Sequence, residues 1–161
     1  MNYKTYKEAT GARALELAKK MRKISKYFAV APQFADIRLI TGNLDIPVYA
    51  QHVDHIKPGS HTGHILAEDL KEAGCIGTLV NHSEHRLPLE LIEGSLRRAH
   101  EVGLEVVCCA KDLKEAMKIS SLRDLPDAIA IEPPELIGTG VSVSTTKPEL
   151  LERAVEKIDL P

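Results

Sequence analysis

Residues 77–110 read GTLVNHSEHRLPLELIEGSLRRAHEVGLEVVCCA. Two short apolar runs, Gly77 to Asn81 and Glu105 to Ala110, bracket a stretch in which Leu89, Ile92, Leu96 and Ala99 recur at helical spacing. Runs of that length and β-branched content fit buried strands, and the stripe between them fits a helix with one face turned to a sheet. Strand, helix and strand in succession form the unit from which parallel sheets are built.

The alternation continues on both sides. Phe28 to Ala31, Pro47 to Gln51 and Ala128 to Ile131 read as further strands, while Leu15, Ala18 and Ile24 mark an early helix and Leu151, Ala154 and Ile158 the last one. No long linker, low-complexity block or shift of composition interrupts the chain, so a single domain over residues 1–161 is expected. A doubly wound sheet and a (β/α) barrel both fit this order. In either, chemistry sits at the C-terminal ends of the strands. Polar residues gather there: Gln51 and His52, then Asn81-His82-Ser83-Glu84, then Glu132 followed by Gly138-Thr139-Gly140.

A chain of 161 residues with 43% hydrophobic content is long enough to bury about 70% of its unfolded surface. Lys and Arg number 21 against 23 Asp and Glu, a net charge of −2 with a pI near 6.4. No long-range field therefore favours nucleic acid or an anionic membrane, and any phosphate has to be held locally. The opening MNYKTYKEAT is polar, and no run approaches the roughly 20 apolar residues of a membrane span, so a soluble cytoplasmic protein is expected. Cys75, Cys108 and Cys109 read as small buried hydrophobes in a reducing compartment, not as a disulfide framework.

Three segments carry candidate chemistry. In Asn2-Tyr3-Lys4 an extended backbone puts an amide and an ammonium on the same side; taken alone the signal is weak, and a surface lysine is the better reading. Asn81-His82-Ser83-Glu84 joins a strand to a helix beginning near Leu87 or Pro88. A helix N-terminus opposes protonation of a nearby imidazole, which favours His82 as a neutral hydrogen-bond donor. The competing reading makes Ser83 a simple cap and His82 a satisfied core residue. Finally, Ile131 to Gly140 places the Glu132 carboxylate at a strand end, then a stiff proline pair, then glycines that permit motion. Either a closing lid or an ordinary tight loop fits.

The stretch Gln51 to His64, QHVDHIKPGSHTGH, invites a metal reading on His52, His55, His61 and His64. It holds Pro and Gly, no cysteine, and no helix that would bring ligands at i and i+4 together, so solvated or interface histidines are expected and no metal.

Taken in order, Asn2-Tyr3-Lys4-Thr5-Tyr6, Ala50-Gln51-His52, Asn81-His82-Ser83-Glu84 and Glu132-Pro133-Pro134-Glu135-Leu136-Ile137-Gly138-Thr139-Gly140 resemble the archaeal branch of the triose-phosphate isomerase family along the whole chain. The resemblance implies a (β/α)8 TIM barrel, here a partial barrel of about six βα units with parallel strands. It implies interconversion of D-glyceraldehyde 3-phosphate and dihydroxyacetone phosphate through an enediolate, without metal or organic cofactor. Glu132 would be the proton acceptor, His82 the electrophile, and Lys4 with Asn2 the stabilisers of the oxyanion. Glu84 would orient Lys4, and Tyr3, Ile137 and Gly138 would complete the substrate-binding set. The loop around His61 to His64 would join subunits of a homo-oligomer, a tetramer or a dimer.

The chain also departs from the family. It ends just past the sixth helix, with nothing after Ile158 to supply a seventh and eighth strand and their phosphate-binding loops. The first strand looks essentially absent, since Met1 directly precedes Asn2, and the passage from Lys20 to Ala29 looks short. These features predict open sheet edges and weakened phosphate binding, each lost charge-assisted bond costing about 1.5–3 kcal/mol. The alternative to an active isomerase is a catalytically impaired fragment acting only as an oligomerising or binding module.

Overall fold

The computed structural model describes residues 1–136, 146 and 148–158. Its helices are α1 (Ala12–Ile24), α2 (Ile37–Thr41), α3 (Ala67–Glu72), α4 (Leu89–Glu101), α5 (Leu113–Ile119) and α6 (Pro148–Lys157). Its strands are β1 (Tyr49–Ala50), β2 (Gly77–Val80), β3 (Glu105–Ala110) and β4 (Ala128–Ile131). They form one sheet in the order β1-β2-β3-β4, every pair parallel. Sequential parallel neighbours joined by helices are the barrel alternative of the two left open by periodicity, because a doubly wound sheet reverses its strand order partway.

Two short segments extend this sheet. Val30 bridges Val48, and Asn2 bridges Ala31, both in parallel. Tyr3 N–H donates to the Ala31 carbonyl at 2.9 Å and Ala31 N–H to the Met1 carbonyl at 2.9 Å. The expectation of an absent first strand is therefore corrected: Met1 to Tyr3 occupy its place and pair as it would. The second expected strand is narrower than Phe28 to Ala31, since its pairing begins at Val30 and Phe28 is exposed.

Strand alternation divides the side chains into two sets. Val30, Val48, Ala50, Val80, Val106, Cys108 and Ala110 are buried beneath the helices. Their partners come from Ile92, Leu96 and Ala99 of α4 and from Ala116 and Ile119 of α5. From α1 the buried residues are Ala14, Ala18 and Met21, whereas Ile24, in the last turn, is exposed. Small alanines let that helix approach closely, and its final turn runs past the sheet.

The opposite face is concave. Met1, Ala29, Tyr49, Leu79 and Val107 line one cavity of about 310 Å³, although Met1 and Val107 stand four strand intervals apart, about 19 Å in a flat sheet. At its floor the Tyr49 hydroxyl donates to a Glu105 carboxylate oxygen across the intervening strand. Gly77 makes this possible, because a Cβ there would collide with the Tyr49 ring and lie 2.6 Å from the Glu105 carbonyl oxygen. Burial, and then this hydrogen bond, push the Tyr49 phenol up to about 12. Gly77→Ala should destabilise the protein by about 1–3 kcal/mol in urea unfolding, the cost of overpacking a filled site; unchanged stability would show that the ring has room to move.

Candidate active site

Side chains on the concave set that reach the C-terminal rim are those at the ends of the strands: Asn2, Lys4, Gln51, Asn81 and Glu132. Lys4 has φ of 49°, a left-handed backbone that a non-glycine residue adopts at a cost of about 1 kcal/mol or more. Two amides hold it there. The Asn2 Oδ1 accepts from Lys4 N–H at 2.9 Å. Gln51 Nε2 donates to the Lys4 and Ala31 carbonyls, each at 3.0 Å. So fixed, Lys4 places Nζ 2.9 Å from Glu84 Oε1. This hydrogen bond raises the lysine pKa, burial opposes it, and the charges of Glu84 and Glu132 add to the rise. Lys4 stays cationic throughout the physiological range.

Asn81, with φ of 59° and 1% exposure, turns the chain sharply at the end of β2. Its Nδ2 donates to the Cys109 carbonyl at 2.8 Å and its Oδ1 accepts from Leu87 N–H at 2.8 Å. Arg86 Nη1 donates to the Asn81 carbonyl at 2.8 Å and lies 3.5 Å from Glu115. The turn presents His82, whose Nε2 stands 3.4 Å from Glu132 Oε1. Its Nδ1 accepts from Glu84 N–H at 3.2 Å, with the Glu84 carboxylate at 3.7 Å. The shorter, directed N–H contact makes Nδ1 the acceptor and leaves the ring proton of the uncharged tautomer on Nε2, facing Glu132.

The helix N-terminus is not what orients this imidazole. Helix α4 begins at Leu89 with Pro88 as its cap residue, and a backbone N–H of the tight turn does the work instead. Ser83 does not cap α4; its N–H donates to Glu132 Oε2 at 3.3 Å. Glu132 is fixed through its own N–H, bonded to the Ala110 carbonyl at 2.7 Å. Beneath it the Cys109 thiol is pushed up to about 12 by burial and then by Glu132, so it is no nucleophile. Cys75 and Cys108 are likewise buried, free and raised to about 12.

Asn2, Lys4, His82, Glu84 and Glu132 thus come together. Tyr3 does not: its side chain is on the other face, 2% exposed, with the hydroxyl 3.9 Å from Met21 Sδ. That corrects its expected place beside the substrate, because the alternation that joins Asn2 to Lys4 sends the residue between them into the core. Ile137 and Gly138 lie outside the described residues.

The histidine-rich stretch is spread out. His52 Nε2 is 3.3 Å from Asp54, His55 packs on Gly94, and the exposed His61 and His64 rings lie 5.9 Å apart. Among the described residues no group of three His, Cys, Asp or Glu converges as a metal would require. Its backbone is tied to α4: Ser95 Oγ donates to the Val53 carbonyl at 2.9 Å and Arg98 Nε to the Ile56 carbonyl at 2.7 Å. Arg98 also pairs with Glu68 and Glu101. These anchors carry no sequence signal, since Ser95 and Arg98 read as part of a helix's polar face.

A rim with a carboxylate facing an imidazole N–H, and an ammonium alongside, is equipped for moving protons on a small carbonyl compound. The sheet and this rim together place the chain in the α/β-barrel class, with its polar side chains gathered at the C-terminal ends of the strands. The family profile for triosephosphate isomerase matches residues 1–159. The chain is 51% identical to the triosephosphate isomerase of Methanocaldococcus jannaschii, over 99% of this chain and 75% of that one. It is 46% identical to that of Methanobacterium bryantii, over 98% and 71%, and 44% identical to that of Methanosarcina acetivorans, over 98% and 72%. The chain belongs to the triosephosphate isomerase family and is an isomerase. It spans about three quarters of these relatives' length. The first alignment, at 166 positions, is longer than the chain itself, so that relative carries residues absent from this one inside the matched span.

Asn81→Ala should lower unfolding free energy by about 1–3 kcal/mol, since it leaves the Leu87 N–H unpaired, leaves the Cys109 carbonyl only the longer 3.4 Å bond from Arg86 Nη1, and removes a residue suited to left-handed backbone. Chemical denaturation followed by circular dichroism measures this.

Proposed function

We propose that Glu132 and His82 are the working acid–base pair of this isomerase, acting on D-glyceraldehyde 3-phosphate and dihydroxyacetone phosphate. Glu132 takes the proton from the carbon next to the substrate carbonyl and returns it to the neighbouring carbon. The Nε2–H of His82 polarises the carbonyl oxygen, gives that oxygen its proton as the enediolate forms, and takes one back from the neighbouring hydroxyl as that oxygen becomes the new carbonyl. Lys4 and the Asn2 amide offset the negative charge that grows on oxygen, and Glu84 keeps Lys4 in register. The observation that supports this reading best is the 3.4 Å approach of Glu132 to the nitrogen that carries the ring proton. No step of this chemistry calls for a metal or an organic cofactor.

The exposed tip 57–64, with its base anchored through Ser95 and Arg98, supports a second element of the proposal: it joins subunits of a homo-oligomer. Among the described residues no helix is long and apolar enough to cross a membrane. The triose-phosphate substrate belongs to glycolysis and gluconeogenesis, and we place the protein in the cytoplasm with those pathways.

Glu132→Gln should cut kcat by about 10²–10⁴ while leaving the fold intact, the usual contribution of a general base. A coupled assay on purified protein reads this directly, and undiminished turnover would remove Glu132 from the mechanism. Analytical ultracentrifugation should give an oligomeric mass that falls to the single chain when His61 and His64 are both replaced by Glu; a monomeric parent would overturn the interface.

A further inference from the structure

The rings of His52 and His85 lie with centroids 4.3 Å apart, tilted by 44°. They belong to two different loops at the same rim. His52 follows β1, is 7% exposed, and sits 3.3 Å from Asp54. Asp54 is built in: its carboxylate accepts from Ile65 N–H at 2.7 Å, and its N–H donates to the Ile65 carbonyl at 3.0 Å. His85 is exposed and closes the turn that carries the active-site histidine, donating from its N–H to the His82 carbonyl at 2.8 Å. Inside that turn, Glu84 N–H reaches His82 Nδ1. A line of contacts therefore runs from a firmly anchored loop, through two imidazoles, to the turn presenting both His82 and Glu84.

Building on the roles given to His82 and Glu84, we propose that His52 is a positioning residue of the active site, holding the His82–His85 turn in place through ring contact with His85, and that protonation of the ring pair releases the turn. Asp54 and His85 are the charged or titratable groups that bear on the His52 ring, and His52 and His64 are those that bear on Asp54. Burial depresses the affinity of His52 for a proton, partly offset by Asp54. One positive charge in the pair is tolerated beside the Asp54 carboxylate; two cations at ring-contact distance repel. The consequence is directional. His52 favours the folded arrangement fully above its ordinary value of 6.5, and that contribution is lost as pH falls below it.

The test is steady-state isomerisation by the full-length protein from about pH 5 to 8, for the parent, H52A, H52Q and H85A, with thermal unfolding alongside. H52A and H85A are expected to lower kcat by about tenfold with KM changed less than about twofold, as a misplaced catalytic group does. H52Q retains an N–H for Asp54 but no titratable ring. With the ring contact gone it is expected to lower kcat about as much as H52A does and to lose the parent's decline below about pH 6.5. Parental kcat in both H52A and H85A, even with a lowered melting temperature, would overturn the proposal, as would an unchanged acid limb in H52Q. If H52A fails to fold, the exposed position of His85 lets H85A decide. A parent protein devoid of isomerase activity would instead overturn the assignment of His82, and this inference with it.

Discussion

Asn81 has to reverse the chain within one residue of a buried parallel strand, and the geometry of the site hangs on how it does so. Its side chain takes one bond to the neighbouring strand at Cys109 and one to the coming helix at Leu87, so the left-handed turn is held from both sides. His82 emerges from that turn, and Glu132 arrives at the end of β4, two strands away, with its N–H on Ala110. The strand spacing is set by backbone hydrogen bonds and leaves little play. The 3.4 Å between His82 and Glu132 thus starts from backbones placed by sheet register and one asparagine.

Lys4 is the counterpart on the far side of the rim. It is three intervals from β2, and it meets Glu84 only because the sheet curls. The left-handed backbone at Lys4 is a local cost, offset by the Asn2 and Gln51 amides that satisfy its peptide groups. Strain at two non-glycine positions, both bearing on the same rim, is the pattern of a site whose surroundings over-determine it. The concave face below is lined by Tyr49, Leu79 and Val107. Its apolar band separates that polar rim from the Tyr49–Glu105 hydrogen bond at the floor.

Much of this was legible from residue order. The β2–α4–β3 unit was readable because Leu89, Ile92, Leu96 and Ala99 keep a helical period between two apolar runs, and three of the four are buried. Glu132 and His82 were readable from their places at strand ends. Alternation joined Asn2 to Lys4 correctly; the same rule, applied to the residue between them, puts Tyr3 in the core. Ile24 misleads because an apolar residue in a last turn carries no record of where the sheet beneath it stops. Phe28 misleads for a similar reason, since an apolar residue just before a paired one looks like strand. The anchors of the histidine-rich loop were invisible: Ser95 and Arg98 reach back 42 residues to meet Val53 and Ile56, and local pattern holds no information at that range. The shared contact of His52 and His85 is hidden in the same way.

Arg98 gives the molecule a property that its apolar core does not. It joins Glu68 of α3, Glu101 of α4 and the Ile56 carbonyl at one mostly buried guanidinium. The penalty for stripping water from charges shrinks on heating, while the gain from burying apolar surface levels off. The ion pairs that join α3 to α4 at Arg98 therefore weaken least as the protein warms, and the segment that most resembles a floppy insertion hangs by its Ile56 carbonyl from the guanidinium they hold in place.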